Sequence, residues 1–156
     1  MSYTRISLGL FIWLVLCFGA AAVGSFFSPG EWYASLNKPT WNPPSWVFGP
    51  VWTLLYALMA ISAWLVWVRG GFSAQRGPLS LFLLQLALNA AWSPVFFGLE
   101  RPDLAFLVIL FLWLGIVATI IAFRKVSHPA TTLLLPYLAW VSFATALNGA
   151  IWILNT

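Results

Sequence analysis

Charge is what this chain has least of. Seven Lys and Arg and three Asp and Glu make up 6% of its 156 residues, while 62% are hydrophobic and 18% aromatic. A soluble domain carries roughly 25% charged residues, so that class is excluded and an integral membrane protein is expected. The net charge of +4 is spread too thinly for a nucleic-acid footprint, and no nucleic-acid partner is expected. Cys17 is the only cysteine, which excludes an internal disulfide, a CxxC redox pair and a CxxCH haem attachment. His128 is also alone, between Ser127 and Pro129. Without a Cys/His cluster, no metal site is expected.

What the chain has instead is long uncharged runs. They predict an all-α membrane protein with helices at about 6–27, 46–68, 78–99, 104–123 and 130–154, in a single domain spanning 1–156, with a loop at 28–45. At about 1.5 Å per residue, Ile6–Phe27 crosses a hydrocarbon core of about 30 Å. Arg5 followed by an apolar stretch and Ala20-Ala21-Ala22 also resembles a signal peptide. The apolar run passes through those alanines to Phe27, so a retained first helix is expected. Pro78 suits a helix start, and Pro102 with Asp103 suits the opening of the fourth helix.

An up-and-down path through five helices puts Arg5, Arg69, Arg76, Arg124 and Lys125 on one side without an acidic residue. Lys38, Arg101, Glu31, Glu100 and Asp103 fall on the other. Basic residues stay cytoplasmic, so the N-terminus is expected inside and the first loop outside, with a bacterial cell membrane as the setting. No internal repeat indicates an inverted-repeat transporter.

None of the runs contains Asp, Glu, Lys, Arg or His. Ion-coupled pumps need such groups at membrane depth, and hydrolytic chemistry needs an acid or base. Neither is expected. A lipid or ion channel is disfavoured too, since pore-lining charges and repeats are lacking.

The interior chemistry is amide and aromatic. Gln85, Asn89 and Ser93 recur one turn apart, with Trp92 and Phe96 beside them. Amides facing lipid would be unsatisfied, so this stripe should face the bundle interior. Two readings stand for Asn89: a bond between helices, or a contact to a ligand's polar edge. Trp52 and Tyr56 share one helix face; Trp140, Ala144 and Asn148 share another, with Tyr137 one turn earlier. The interfacial aromatic belt accounts for Trp46, Trp64, Trp67 and Trp152, near helix ends, but less well for Trp140. Ala20-x-x-x-Gly24 and Ala87-x-x-x-Ala91 permit close helix approach, within the chain or at a dimer seam.

The first loop is unusual. Trp32–Trp52 reads WYASLNKPTWNPPSWVFGPVW. Its prolines bar one continuous helix before Trp46, and its aromatics give it something to fold against. A structured lid over a cavity is expected, with Gly30 and Gly49 as flexible ends.

The segment W-Y-x-x-L-N-K-P-x-W-N-P-P at Trp32–Pro44 resembles the first loop of the TspO/MBR family, the tryptophan-rich sensory proteins related to the mitochondrial translocator protein. The likeness continues through Val51-Trp52, Gln85-Leu86, Asn89-x-x-Trp92-Ser93-Pro94-x-Phe96-Phe97-Gly98, Pro136-Tyr137-Leu138-x-Trp140 and Ala144-x-x-Leu147-Asn148. It spans the whole chain in order. The resemblance implies a five-helix bundle, usually a homodimer, with a cavity beneath the first loop. It implies porphyrin or haem-related tetrapyrroles as ligands, with cholesterol and benzodiazepine-type drugs in animal members and light-driven porphyrin degradation in some bacterial ones. By position, its pocket falls on Tyr33, Trp41, Trp52, Asn89, Trp140 and Ala144, and its degradation-linked tryptophans on Trp52 and Trp140. Residue chemistry adds Tyr56, Trp92, Tyr137 and Asn148 as ligand contacts. The animal sterol motif needs a basic residue after the aromatic, and no Lys or Arg follows Tyr137, so sterol binding is unsupported. A flat, greasy macrocycle would stack on indoles and need few polar partners. No resident cofactor is expected: porphyrin or haem, or another hydrophobic small molecule, enters as ligand.

Overall fold

A computed structural model describes residues 1–156. It is all-helical. Five helices are long and apolar enough to cross a membrane. They are α1 (Tyr3–Ser25), α3 (Phe48–Trp67, entered through a 3-10 turn at Ser45–Val47), α5 (Arg76–Ser93), α6 (Pro102–Arg124) and α7 (His128–Leu154). Two short helices, α2 (Glu31–Ser35) and α4 (Gly71–Ala74), lie in the first two links.

The helix ends follow from their residues. The Ser2 and Ser127 hydroxyls accept the N–H groups of Arg5 and Ala130 at 3.2 and 3.3 Å, capping α1 and α7. Pro102 stands in the first turn of α6. Beside it Asp103 accepts two bonds from the Arg101 guanidinium, at 2.9 and 2.7 Å. The chain leaves α3 through Gly70 and Gly71, at φ 114° and 81°, where a side chain would be strained.

The expected third helix runs to residue 99, but the α-helix stops at Ser93 and Pro94–Gly98 forms a π turn. Pro94 has no N–H for the carbonyl one turn back, and its ring crowds that carbonyl. A wider turn absorbs the defect, closed by Leu99 N–H onto the Pro94 carbonyl at 2.9 Å.

The helices pack in a closed ring in the order α1, α3, α7, α6, α5 and back to α1. The main core includes Trp13 and Cys17 of α1, Met59 of α3, Phe82 of α5, Ile116 of α6 and Val141 of α7. A second cluster, of Phe96, Ala105, Leu147 and Ile151, sits beneath the first loop. On the outside, Phe11, Leu84, Phe111 and Ile121 are all more than half exposed. That is a ruinous surface for water and an ordinary one for lipid.

Trp64 and Trp67 are not simply belt residues. The Trp64 indole N–H bonds the Ile6 carbonyl at 2.9 Å, and the Trp67 ring fills the space left by Gly9. Both fasten α3 to α1. Trp46 remains 75% exposed, in keeping with the belt. A Cβ at Gly9 would lie 2.2 Å from the Trp67 ring, whereas one at Gly24 would meet Ser93 at 3.5 Å. Gly9→Ala is therefore expected to cost about 1–3 kcal/mol, and Gly24→Ala close to nothing. Thermal unfolding in detergent followed by circular dichroism checks the pair: equal midpoints would show that α1 is not seated on Trp67.

Candidate functional site

The loop-side halves of the five long helices do not close on one another. They leave a cavity of about 1290 Å³, larger than the roughly 300–1,000 Å³ of common small-ligand sites. Trp52 and Tyr56 face it from α3, Asn89 and Trp92 from α5, and Trp140, Ala144 and Asn148 from α7. Their one-turn spacings put each set on a single helix face. Phe18 and Ala21 of α1 and Ile109 and Leu112 of α6 complete the apolar wall.

The first loop forms the remaining side, through Tyr33, Lys38 and Asn42. It is anchored by rings rather than by regular backbone pairing. Trp32 and Tyr33 pack edge-on against Phe96 at 5.7 and 6.2 Å, and Tyr33 against Phe97 at 5.5 Å. The π turn thus carries the two phenylalanines on which α2 sits. Asn37 and Asn155 exchange bonds, N–H to Oδ1 at 2.9 Å and Nδ2–H to carbonyl at 2.8 Å, tying the loop to the end of α7. Burial raises the Tyr33 phenol above its ordinary value, with the Asn42 amide acting the other way. Tyr33 therefore stays neutral at physiological pH.

Under the cavity runs a relay of hydrogen bonds. The Tyr56 hydroxyl donates to Asn89 Oδ1 at 2.6 Å, Asn89 Nδ2 donates to the Tyr137 hydroxyl at 2.8 Å, and that hydroxyl donates to Gln85 Oε1 at 2.7 Å. The relay joins α3, α5 and α7. A second bridge joins α5, α6 and α7: Trp92 Nε1 donates to Asn148 Oδ1 and Asn148 Nδ2 to the Pro102 carbonyl, both at 2.9 Å. Both bridges commit amides to the frame. By contrast, the buried Trp140 Nε1 has no partner. Its N–H is a donor left over in the cavity wall.

The residues expected from the sequence therefore sort into two groups. Tyr33, Trp52, Tyr56, Asn89, Trp92, Trp140, Ala144 and Asn148 line one cavity. Trp41 and Tyr137 do not. Trp41 is 46% exposed and packs edge-on against Phe143 at 5.7 Å. Tyr137 is fully buried below the cavity, held there by Asn89 and Gln85. Asn89 makes the bond between helices that was one of its two readings, and its side chain also lines the cavity. The α1 wall and Lys38 escaped the sequence reading. The first run is apolar all round and lacks a polar stripe to fix its phase, and Lys38 registers only as a loop charge.

Asn89→Leu strips partners from two buried tyrosine hydroxyls. The expected loss is about 1–3 kcal/mol, read as a lower midpoint of thermal unfolding. Ser142→Ala removes the exposed Trp113–Ser142 bond and the hydroxyl's own bond to the Leu138 carbonyl one turn back, and is the mild comparison. A midpoint in Asn89→Leu no lower than in Ser142→Ala would show that the relay does not brace the bundle.

Five membrane-length helices around an aromatic-walled cavity define a multi-pass helical membrane protein. The TspO/MBR family model matches residues 11–153, and the chain belongs to the TspO/MBR family. It is 42% identical over 154 residues to protein CrtK of Rhodobacter capsulatus, covering 96% of this chain and 94% of that one. To the human translocator protein it is 47% identical over 135 residues, covering 83% and 80%. To the tryptophan-rich sensory protein of Cereibacter sphaeroides it is 44% identical over 135 residues, covering 86% and 84%.

Proposed function

We propose that this chain is a receptor- or sensor-type membrane protein that binds porphyrins and related tetrapyrroles in its cavity and sequesters or moves them. The observation that carries this is the cavity itself: about 1290 Å³, walled by Trp52, Trp92 and Trp140, with one buried indole N–H unpartnered. Indole faces suit a flat conjugated ring, and a few fixed polar groups orient it. The names translocator and sensory protein borne by relatives support the same role. The first loop acts as lid, outside the membrane, with the N-terminus cytoplasmic. A homodimer completes the proposal. Gly24 packs on Ser93 within the chain, which leaves Ala87 and Ala91 as the small-residue seam.

Neither His nor Cys lines the cavity, so imidazole or thiolate ligation of haem iron is not offered there. Binding should follow the macrocycle: metal-free protoporphyrin IX binds about as well as haem. Titration in detergent in the dark, followed by tryptophan quenching, checks this. Saturable quenching weakened by Trp52→Ala and Trp140→Ala supports the cavity. Unsaturable quenching, indifferent to both, would mean partition into the micelle.

A second reading, enzyme-like photo-oxidation, draws on Trp52 and Trp140 lining the same cavity. An excited porphyrin would take a hydrogen atom from one indole, and dissolved oxygen would add to the reduced ring radical. The peroxyl radical would take a hydrogen atom from the second indole, leaving a ring hydroperoxide with broken conjugation and both indoles oxidised. Phe in place of both tryptophans is expected to keep dark binding and to stop light-driven loss of the porphyrin spectrum. Loss at an unchanged rate in that variant would remove the second reading and leave the first.

A further inference from the structure

The cavity lining contains one charged residue, Lys38, and no acidic side chain. Its surroundings are uneven. The helices supply an apolar, aromatic wall, and the loop supplies the cation. The ion pair of the fold joins Arg101 to Asp103, so no carboxylate of the protein neutralises Lys38. Its Nζ donates to the Leu36 carbonyl at 3.2 Å and sits 4.5 Å from the centre of the Tyr33 ring. An ammonium carries three donors, and the one bond to Leu36 leaves others for a ligand. The Tyr33 face and the Leu36 carbonyl hold the charge at the cavity edge, where an unanchored lysine would extend into water.

We propose that Lys38 is an anion-anchoring residue, selecting ligands that carry a carboxylate on the edge of a flat apolar body. The inference rests on the cavity reading above and adds to it the chemistry of the ligand's rim and its orientation. The apolar edge points down between Trp52 and Trp140, and the acidic edge points up to the loop. A charge-assisted bond to a partly desolvated ammonium is stronger than a neutral one. At a rim still open to ions, it is also sensitive to salt.

The test compares protoporphyrin IX, which carries two carboxylates, with its uncharged dimethyl ester. Both are titrated in the dark against the full-length protein in a neutral detergent. Lys38→Met keeps an aliphatic stem on the Tyr33 ring and removes the charge. It is expected to weaken protoporphyrin IX about five- to tenfold. Ester binding should stay within about twofold, and Lys38→Arg should behave as the parent. Added salt should weaken the diacid and spare the ester. Equal weakening of both porphyrins would show that Lys38 acts through the shape of the loop, and no change in either would show that it anchors nothing; both outcomes overturn the proposal while leaving the cavity in place. If the parent protein binds neither porphyrin saturably, the cavity reading itself falls, and the anchor falls with it.

Discussion

Within a bilayer there is no water to satisfy a stray amide or hydroxyl, and this constraint organises the whole structure. The relay from Tyr56 through Asn89 and Tyr137 to Gln85 is its local expression. These four side chains, from α3, α5 and α7, find one another and in doing so fix how those helices are rotated. The rotation decides which residues face the space above. Trp52 and Tyr56 then share one wall and Trp140 and Ala144 another, because their helices are locked by bonds one layer deeper. Trp92, Asn148 and the Pro102 carbonyl repeat the device on the α5, α6 and α7 side. The cavity is thus a consequence of a braced frame beneath a region where the helices do not meet.

Much of this was legible in the residues. Uncharged runs of membrane length specify five helices almost without regard to order, because lipid admits few other solutions. The one-turn spacing of Gln85, Asn89 and Ser93 announced an inward face, and amide chemistry explains why it had to be inward. The prolines of the first loop announced that it would not be a single helix, and it is a short helix, an extended turn and a 3-10 entry.

Other features were hidden for equally physical reasons. A proline says that a helix will be disturbed but not how, so the π turn at Pro94 could not be read from its residue alone. Tyr137 looks like a cavity residue by spacing and is not one, because Asn89 and Gln85 draw its hydroxyl down into the relay. Trp64 and Trp67 look interfacial by position, yet a glycine and a backbone carbonyl on α1 capture them. For these three aromatics the deciding partner lies on another helix, where spacing along one strand of sequence is silent. Trp140 is the instructive opposite: a buried indole whose N–H no other helix claims, on a side chain that lines the cavity.

The central claim is that a flat tetrapyrrole occupies the space between the braced helices and the first loop. A structure of the protein in lipid nanodiscs with protoporphyrin IX bound tests it most directly. The macrocycle is expected between Trp52 and Trp140, under Tyr33, with the Tyr56–Asn89–Tyr137 bonds intact below it. Density for the porphyrin on the lipid-facing surface, with the cavity empty, would contradict it.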